Sequence, residues 1–433
     1  MKWPRILKDK TIVAWALYDW ANSAFATTVM AGFFPIFFRH YCNQGVSAET
    51  ATLRLGLANS LAGLLVVLLA PLLAAAADRR MCKKMLLLIF TLLGALATSG
   101  LALVTQGSWE QAALLYTLAL VGFSGATIFY DAFLPTVSRL FTSAEVSSLG
   151  YALGYLGGGI LFGINVCMYL RPEWFSLGST EAAVKASFVT VGLWWLIFSL
   201  PAFLCLQEDP ARGGAAAEPL SVTALQLRQT FKELSRTRPI FLFLLAYWLY
   251  IDALNTVVKM AVDYGAALGF SSSHLISALL MVQFLGFPSA ITYGMIGRYF
   301  GVKRAISAGV MIYMGVTLWA ACMEKVWQFY VLAGMVALVQ GGVQALSRSF
   351  YAEMIPEARS AQYFCFYNLV GKFAAILGPL LVGASAYLSG STRAGILPLF
   401  AMFSVGLLLL RRIPKSPKTL SSKPTHATPK NWV

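Results

Sequence analysis

The chain has 433 residues, of which 58% are hydrophobic and only 12% charged, and its formal net charge is +15. A soluble globular domain needs more polar surface than this, so the composition excludes the soluble class and predicts a polytopic membrane protein. The apolar runs are continuous rather than alternating, which favours transmembrane helices over the strands of a membrane barrel.

Crossing about 30 Å of hydrocarbon takes about 20 apolar residues in an α-helix. Twelve segments of the sequence meet this requirement, which predicts an all-α polytopic membrane protein with 12 transmembrane helices. In chain order they lie near 11–38, 55–76, 85–105, 110–133, 147–170, 184–206, 240–263, 274–297, 305–322, 327–350, 363–388 and 394–410.

The basic residues are distributed unevenly between the two sides of these spans. With the N-terminus in the cytoplasm, 25 of the 33 Lys and Arg residues fall in cytoplasmic segments, Arg348 and Arg359 among them, and six fall on the opposite side. This bias predicts that both termini are cytoplasmic. The positive charge therefore reflects membrane topology, and nucleic acid is not a predicted partner.

Enzymatic and metal chemistry have little support in the sequence. The six cysteines are scattered without metal-ligand spacing, and the three histidines lie at helix ends or in the C-terminal tail. The spans contain no recognisable nucleophile–base pair. The sequence therefore predicts no metal site, no cofactor and no enzyme.

The first predicted span contains a polar stripe. Within YDWANSAF, residues 18–25, Asp19, Asn22 and Ser23 share one face, because residues three and four apart are neighbours on a helix. A second stripe on the seventh span consists of Asp252, Asn255, Thr256, Lys259 and Asp263. An ionised residue at the centre of a membrane helix costs about 2.5–3.5 kcal/mol. These side chains are therefore expected to face water, a solute or one another.

The alternative is that these charged residues only pair, Asp with Lys, and hold the helices together. This alternative applies most directly to Lys259, which lies four residues from Asp263. Asp19 and Asp252 have no cation three or four residues away on their own helices. We therefore predict that one of these two aspartates, Asp19 first, binds and releases a proton as the hydration of a passage changes.

The two halves of the chain repeat each other. YDWANS at 18–23 matches YIDALNT at 250–256, and FYDAFLP at 129–135 matches FYAEMIP at 350–356. Parallel repeats of this kind are typical of transporters. The predicted organisation is an N-terminal bundle (1–206), a cytoplasmic linker with an amphipathic helix (207–239), a C-terminal bundle (240–411) and a disordered basic cytoplasmic tail (412–433).

These motifs, together with GYALGYLGGG at 150–159 and VQGGVQALSRSFYAEMIP at 339–356, resemble major facilitator superfamily transporters. Within that superfamily the chain resembles the vacuole-effluxer-like branch, which contains autophagy-related vacuolar amino-acid effluxers and their bacterial relatives. The resemblance covers residues 11–411. It implies the major facilitator fold of two six-helix bundles in a monomer within a lipid bilayer: the inner (plasma) membrane of a bacterium, or the vacuolar membrane if the source is a fungus.

In the superfamily, the first, fourth, seventh and tenth spans line a central cavity. The resemblance, with the polar stripes, implies a set of residues that meet the solute and the proton: Tyr18, Asp19, Asn22, Tyr250, Asp252, Asn255, Lys259, Gln283, Gln340, Gln344 and Lys372. For the tyrosines, two roles are equally consistent with the sequence: they line the cavity, or they pack between helices with the hydroxyl bonded to a nearby group.

The segment ADRRMCKK at 77–84 resembles the superfamily signature that follows the second span. By resemblance, Asp78, with Arg79 and Lys83 of the same motif, holds the cytoplasmic side closed by meeting a helix N-terminus. Asp131 is expected to complete this gate by pairing with Arg79 or Arg80. In the second copy of the motif, Arg298 replaces the aspartate.

Small residues recur every four positions on two spans: Gly150, Gly154 and Gly158 on the fifth, and Gly286, Ala290 and Gly294 on the eighth. Small residues let helix backbones approach closely. The resemblance implies that these two spans meet between the halves, so the stripes are interpreted as a packing surface.

The sequence thus predicts a secondary active transporter that moves a small polar solute by alternating access, with protons as the coupling ion and amino acids as the solute implied by resemblance. An uncoupled facilitator, an exporter of drugs or other amphiphiles, and a non-transporting membrane sensor are the alternatives. The direction of transport is left open.

Overall fold

The structure is a computed structural model. It describes residues 6–46, 82–208, 232–234, 236–267, 270–373 and 393–414, together with scattered positions between 54 and 68 and between 377 and 388. Every regular element in these segments is a helix. The predicted all-α class is therefore confirmed for the described part of the chain.

Helices of 14 to 30 residues make up most of the described structure. In chain order they are α1 Lys10–Ala24, α2 Lys83–Gly100, α3 Trp109–Ala132, α4 Ser143–Leu170, α5 Thr180–Cys205, α6 Arg238–Ala267, α7 Ser272–Phe300, α8 Val302–Ala321, α9 Val326–Met354, α10 Ser360–Phe373 and α11 Leu397–Arg411.

Among the described residues, nine helical segments are long and apolar enough to cross a membrane, which confirms a multi-pass membrane protein. The first predicted span is also helical: α1 is followed by π-helical and α-helical turns that continue as far as Cys42. The predicted spans near 55–76 and 363–388 lie largely or partly outside the described residues. The total of twelve therefore stays a prediction.

Local sequence signals mark several helix ends. Asp9 caps α1, where its Oδ1 accepts hydrogen bonds from the backbone N–H groups of Thr11 and Ile12 at 2.9 and 3.2 Å. Thr142 caps α4 by accepting the N–H of Glu145 at 3.4 Å. Such caps satisfy backbone donors that have no partner within the helix.

The helices form two groups by their contacts. In the N-terminal group, α1 packs on α4 and α5, and α2 packs on α3 and α5. In the C-terminal group, α6 packs on α11, and α9 packs on α7 and α8. Helix α4 meets α7 and α9 across the boundary, and α3 meets α10. Most of the predicted linker at 207–239 and most of the predicted tail at 412–433 lie outside the described residues, so the domain organisation stays a prediction.

The two small-residue stripes have different partners. Gly286 and Gly294 of α7 face α4, since a Cβ built on them would lie 2.8 Å from the Tyr155 ring and 2.7 Å from Ser148 Cβ. Gly154 instead faces α1, where a Cβ would lie 2.6 Å from Ser23 Oγ. Gly150 and Gly158 also meet α1. The two spans meet between the halves as expected, but the α4 stripe itself faces α1 and allows α1 and α4 to approach closely within one half.

Candidate functional site

Arg348 of α9 lies at the boundary between the helix groups, where it forms a cluster with Asp19 and Asp131 that we call the central cluster. Its side chain is only 4% exposed, and Nη1 donates to Oδ1 of Asp131 in α3 at 3.0 Å. Its Nε donates to Ser147 Oγ in α4 at 2.8 Å, and Nη2 donates to the Ser147 carbonyl at 3.0 Å. One side chain from the C-terminal group is thus bonded to two helices of the N-terminal group.

Asp19 of α1 is the second carboxylate of this cluster. Its Oδ2 lies 3.5 Å from both Nη1 and Nη2 of Arg348 and accepts a hydrogen bond from the Tyr130 hydroxyl at 3.0 Å. These bonds, with those to Ser147 and Asp131, give all five N–H groups of the guanidinium an acceptor. Burial of such a charge is tolerated because it is paired and hydrogen-bonded.

Asp19 and Asp131 differ in how tightly they are held. The Asp131 side chain is 4% exposed, and its second oxygen accepts a hydrogen bond from Asn368 Nδ2 in α10 at 3.0 Å. The Asp19 side chain is 14% exposed, its contacts with Arg348 are longer, and its Oδ1 accepts no hydrogen bond from any residue that the structure describes. Asp19 is therefore the more accessible and more weakly paired of the two acids.

Aromatic rings enclose the guanidinium. The Cζ atom of Arg348 lies 4.4 Å from the ring centroid of Tyr151, 4.9 Å from that of Trp15 and 5.4 Å from that of Tyr130. Trp15 and Tyr130 stack with their centroids 4.5 Å apart. Cation–π contacts of this kind stabilise a desolvated arginine, so the rings and the two acids fix its position together.

Asp252, the repeat counterpart of Asp19, has a different environment. It is fully buried, and the backbone N–H of Gly378 donates to both of its carboxylate oxygens at 3.1 Å. Thr256 Oγ1 lies 3.5 Å from Oδ1. This burial differs from the expectation that Asp252 faces a passage. In this conformation the carboxylate bonds the backbone of the predicted span near 363–388.

Further polar contacts join the two groups at one end of the helices. Arg298 at the end of α7 pairs with Glu145 in the first turn of α4 at 2.6 Å. Arg139 donates from Nε to Glu357 at 2.9 Å, and Lys83 donates to Ser360 Oγ at 2.9 Å. The loops at this end are those predicted to be cytoplasmic. These contacts hold the two groups together on that side.

A family model described as vacuole effluxer Atg22-like matches residues 55–419. The chain belongs to this family. It is 36% identical over 410 residues to an uncharacterized MFS-type transporter, YxiO, of Bacillus subtilis (strain 168), covering 94% of this chain and 95% of that protein. It is 27% identical over 308 residues to autophagy-related protein 22-1 of Penicillium rubens, covering 64% of this chain and 50% of the relative. The chain therefore spans about half the length of that fungal relative.

Solved structures show the same fold. The human organic anion transporter MFSD10 matches with a TM-score of 0.75 at 14% identity, covering 93% of this chain and 99% of that one. FucP, a major facilitator superfamily transporter in the outward conformation, matches with a TM-score of 0.71 at 12% identity, covering 94% and 99%. This member of the Atg22-like family thus has a major facilitator fold and is a membrane transporter, not an enzyme.

Two of the predicted cavity residues lie in helix packing. The hydroxyl groups of Tyr18 and Thr91 lie 2.7 Å apart within the N-terminal group, and those of Tyr250 and Ser347 lie 2.7 Å apart within the C-terminal group. Both tyrosines are fully buried. Of the two roles that the sequence analysis allows for these tyrosines, the structure shows packing between helices with the hydroxyl bonded to a neighbouring side chain.

The other predicted cavity residues are spread along the helices. Asn22 is 4% exposed, and Asn255, Gln283, Gln340 and Gln344 are partly buried. The Oε1 atom of Gln340 is buried without a hydrogen-bond partner in the described structure. The side chains of Lys259 and Lys372 lie outside the description, although their backbones are helical.

The predicted gate is described only in part. Asp78, Arg79 and Arg80 lie outside the described residues. Lys83 bonds Ser360, the first residue of α10, which places this end of the motif at a helix N-terminus of the other group. Asp131 pairs with Arg348, a partner that the sequence analysis did not assign to it.

Arg348 is the main functional residue that sequence reasoning missed. The sequence analysis counts it only as a cytoplasmic charge, whereas the structure shows a buried side chain within α9 that is paired with two acids. The signal that could have found it is its spacing: Gln340, Gln344 and Arg348 recur every four residues on one face. Ser147, Tyr151 and Asn368 were missed as well, since each acts through a residue distant in sequence.

Proposed function

We propose that this transporter is a secondary active carrier that moves a small polar solute by alternating access and couples the movement to protons through Asp19. Amino acids are the first candidates for the solute, because the family model that matches is named for a vacuole effluxer and one reported relative is an autophagy-related protein, which is the branch that the sequence analysis links to amino acids. Asn22, Asn255, Gln283, Gln340 and Gln344 are assigned to the polar wall of the passage, with Lys259 and Lys372.

The contacts between the groups support alternating access. Glu145–Arg298, Asp131–Arg348 and the Lys83–Ser360 bond all join the two groups on the predicted cytoplasmic side. A carrier that opens on that side has to break them together. We assign the present conformation to the state in which the cytoplasmic side is closed, and the opening step to the separation of α4 from α7 and α9.

The single observation that carries proton coupling is the composition of the central cluster. Among the described side chains it has two carboxylates and one guanidinium, which leaves one negative charge in excess when both acids are ionised. An uncompensated charge is costly in a membrane interior. A proton on Asp19 neutralises the cluster and removes one attraction that holds Arg348, so protonation favours opening.

Transport by purified protein in proteoliposomes tests this proposal. Counterflow and gradient-driven accumulation are measured with a labelled panel of the twenty amino acids, without a proton gradient and with proton gradients of either direction. We expect Asp19→Asn to reduce gradient-driven accumulation at least tenfold, while Glu173→Gln, which removes one acid of an exposed ion pair, leaves it unchanged. Accumulation by Asp19→Asn at the wild-type level would contradict the proposal.

A further inference from the structure

The unused acceptor of the central cluster indicates which chemical group a solute brings to it. Of the two Asp19 oxygens, Oδ2 is bonded to Tyr130 and faces Arg348, whereas Oδ1 accepts no hydrogen bond from any described residue. The side chain also retains 14% exposure at the boundary between the groups. An accessible carboxylate oxygen accepts hydrogen bonds from a donor that enters the passage.

The arginine of the cluster offers no matching position for an anion. Its five N–H groups all point at acceptors, namely Ser147, Asp131 and Asp19. A solute carboxylate would have to displace one of these bonds and would add a second excess negative charge. Both effects oppose the binding of an anionic group at Arg348 while Asp19 is ionised.

The charge of the central cluster indicates that a single positive charge is needed at Asp19. The ionisable and charged groups that face Asp19 from the packed helices are Tyr130 and Asp131 of α3, Tyr151 and Tyr155 of α4, and Arg348 of α9. With the tyrosines neutral, the described cluster carries one excess negative charge. Either one proton or one monocationic group neutralises it, and the two compete for the same carboxylate.

We propose that the solute carries a protonated amine, that this amine binds Oδ1 of Asp19, and that it displaces the coupling proton there. The solute bound as R–NH3⁺ replaces the proton of the neutral Asp19 carboxyl, and the proton leaves to the side on which the passage is open. Solute and proton therefore move in opposite directions. The inference rests on the proposed proton site at Asp19 and adds the recognised group and the mode of exchange.

Protection of Asp19 from a carbodiimide tests the binding step. Dicyclohexylcarbodiimide modifies protonated carboxyl groups in apolar surroundings, and the modified peptide is identified by mass spectrometry. The competitors are the twenty amino acids, their decarboxylated amines and their deaminated carboxylates. We expect members of the first two sets to slow modification of Asp19 at least fivefold, and the carboxylates to have no effect.

The outcomes distinguish the two levels of the proposal. Protection by simple amines and amino acids alike identifies the amine as the recognised group, and protection by amino acids alone adds a requirement for the carboxylate elsewhere in the passage. Protection by the deaminated carboxylates, or by neither the amino acids nor their amines, would overturn the amine site. Absence of modification at Asp19 at every pH from about 5 to 9 would overturn the proton site itself.

The direction of proton movement provides an independent measurement. Proteoliposomes that enclose a pH-sensitive dye are mixed with an amine-bearing solute that protects Asp19. Exchange predicts that the interior becomes alkaline as solute enters, whereas co-transport predicts acidification and would contradict the inference. Asp19→Glu, which retains a carboxylate, is expected to keep the alkaline response, and Asp19→Asn is expected to lose it. Monodisperse elution of both variants shows that they are folded.

Discussion

Glu145 and Arg298 form an ion pair at 2.6 Å in which the acid is almost fully buried and the arginine 26% exposed. The acid lies in the first turn of α4, where it also accepts a hydrogen bond from the Thr142 hydroxyl at 2.7 Å. The arginine occupies the place that the first motif copy gives to an aspartate. In this contact the acid lies in the first turn of α4 and the cation in the last turn of α7.

Reversal of one partner is expected to open the predicted cytoplasmic side. Glu145→Arg places two cations against each other and removes a stabilising acid from a helix N-terminus. A cysteine introduced at Ser148, which is fully buried at the α4–α7 boundary, reports the opening in a background without native cysteines. Maleimide labelling should rise several-fold in Glu145→Arg and fall again when Arg298→Glu is added. Equal labelling in all three proteins would contradict a closing role for the pair.

Substitution of Arg348 is expected to lower the stability of the fold as well as to impair transport. Arg348→Gln leaves Asp19 and Asp131 near each other without a cation, and breaking a buried pair costs about 3–5 kcal/mol. Thermal unfolding in detergent should therefore occur at a markedly lower temperature. The double variant Arg348→Gln with Asp131→Asn should recover much of this loss. No recovery would argue against charge as the cause.

The two repeat-related aspartates are expected to differ on substitution. Asp252 accepts the Gly378 N–H with both oxygens, so Asp252→Asn weakens a buried backbone contact by about 1–3 kcal/mol. Its thermal stability should fall, while the number of protons moved per solute stays unchanged. Asp19→Asn should leave the thermal stability nearly unchanged and should lower the number of protons moved per solute. Both quantities are measured on the same preparations, and a loss of coupling in Asp252→Asn would contradict the division of roles.

Backbone contact between α2 and α3 provides a test of the packing. A Cβ at Gly122 would lie 2.4 Å from the backbone nitrogen of Gly94, and backbone cannot move aside as a flexible side chain can. Gly122→Ala is expected to cost about 1–3 kcal/mol or more through overpacking. Gly163→Ala is the matched control, because a Cβ there meets nothing within 4 Å. Equal melting temperatures for the two variants would contradict the close approach.

The sequence was informative where a signal is local. Apolar length predicted the nine spans that the structure describes, and the polar stripe identified Asp19. The stripe could not identify Arg348 as its partner, because the two residues are 329 positions apart and only the assembled helices bring them together. Periodicity likewise assigned Gly154 to a helix face correctly, but a period specifies a face and not the helix that packs against it.

The small residues along α4 also determine which part of the molecule moves around Asp19. Because a Cβ would lie 3.3 Å from the Asp19 carbonyl at Gly154 and 3.1 Å from the Ser23 carbonyl at Gly158, α1 and α4 approach closely, and the acid and the tyrosines of α4 have little freedom to shift relative to each other. We therefore expect the hydration of Asp19 to change when α9 withdraws Arg348 from it. In this arrangement α1 and α4 hold the acid in place, and movement of α9 brings the arginine to the acid or takes it away.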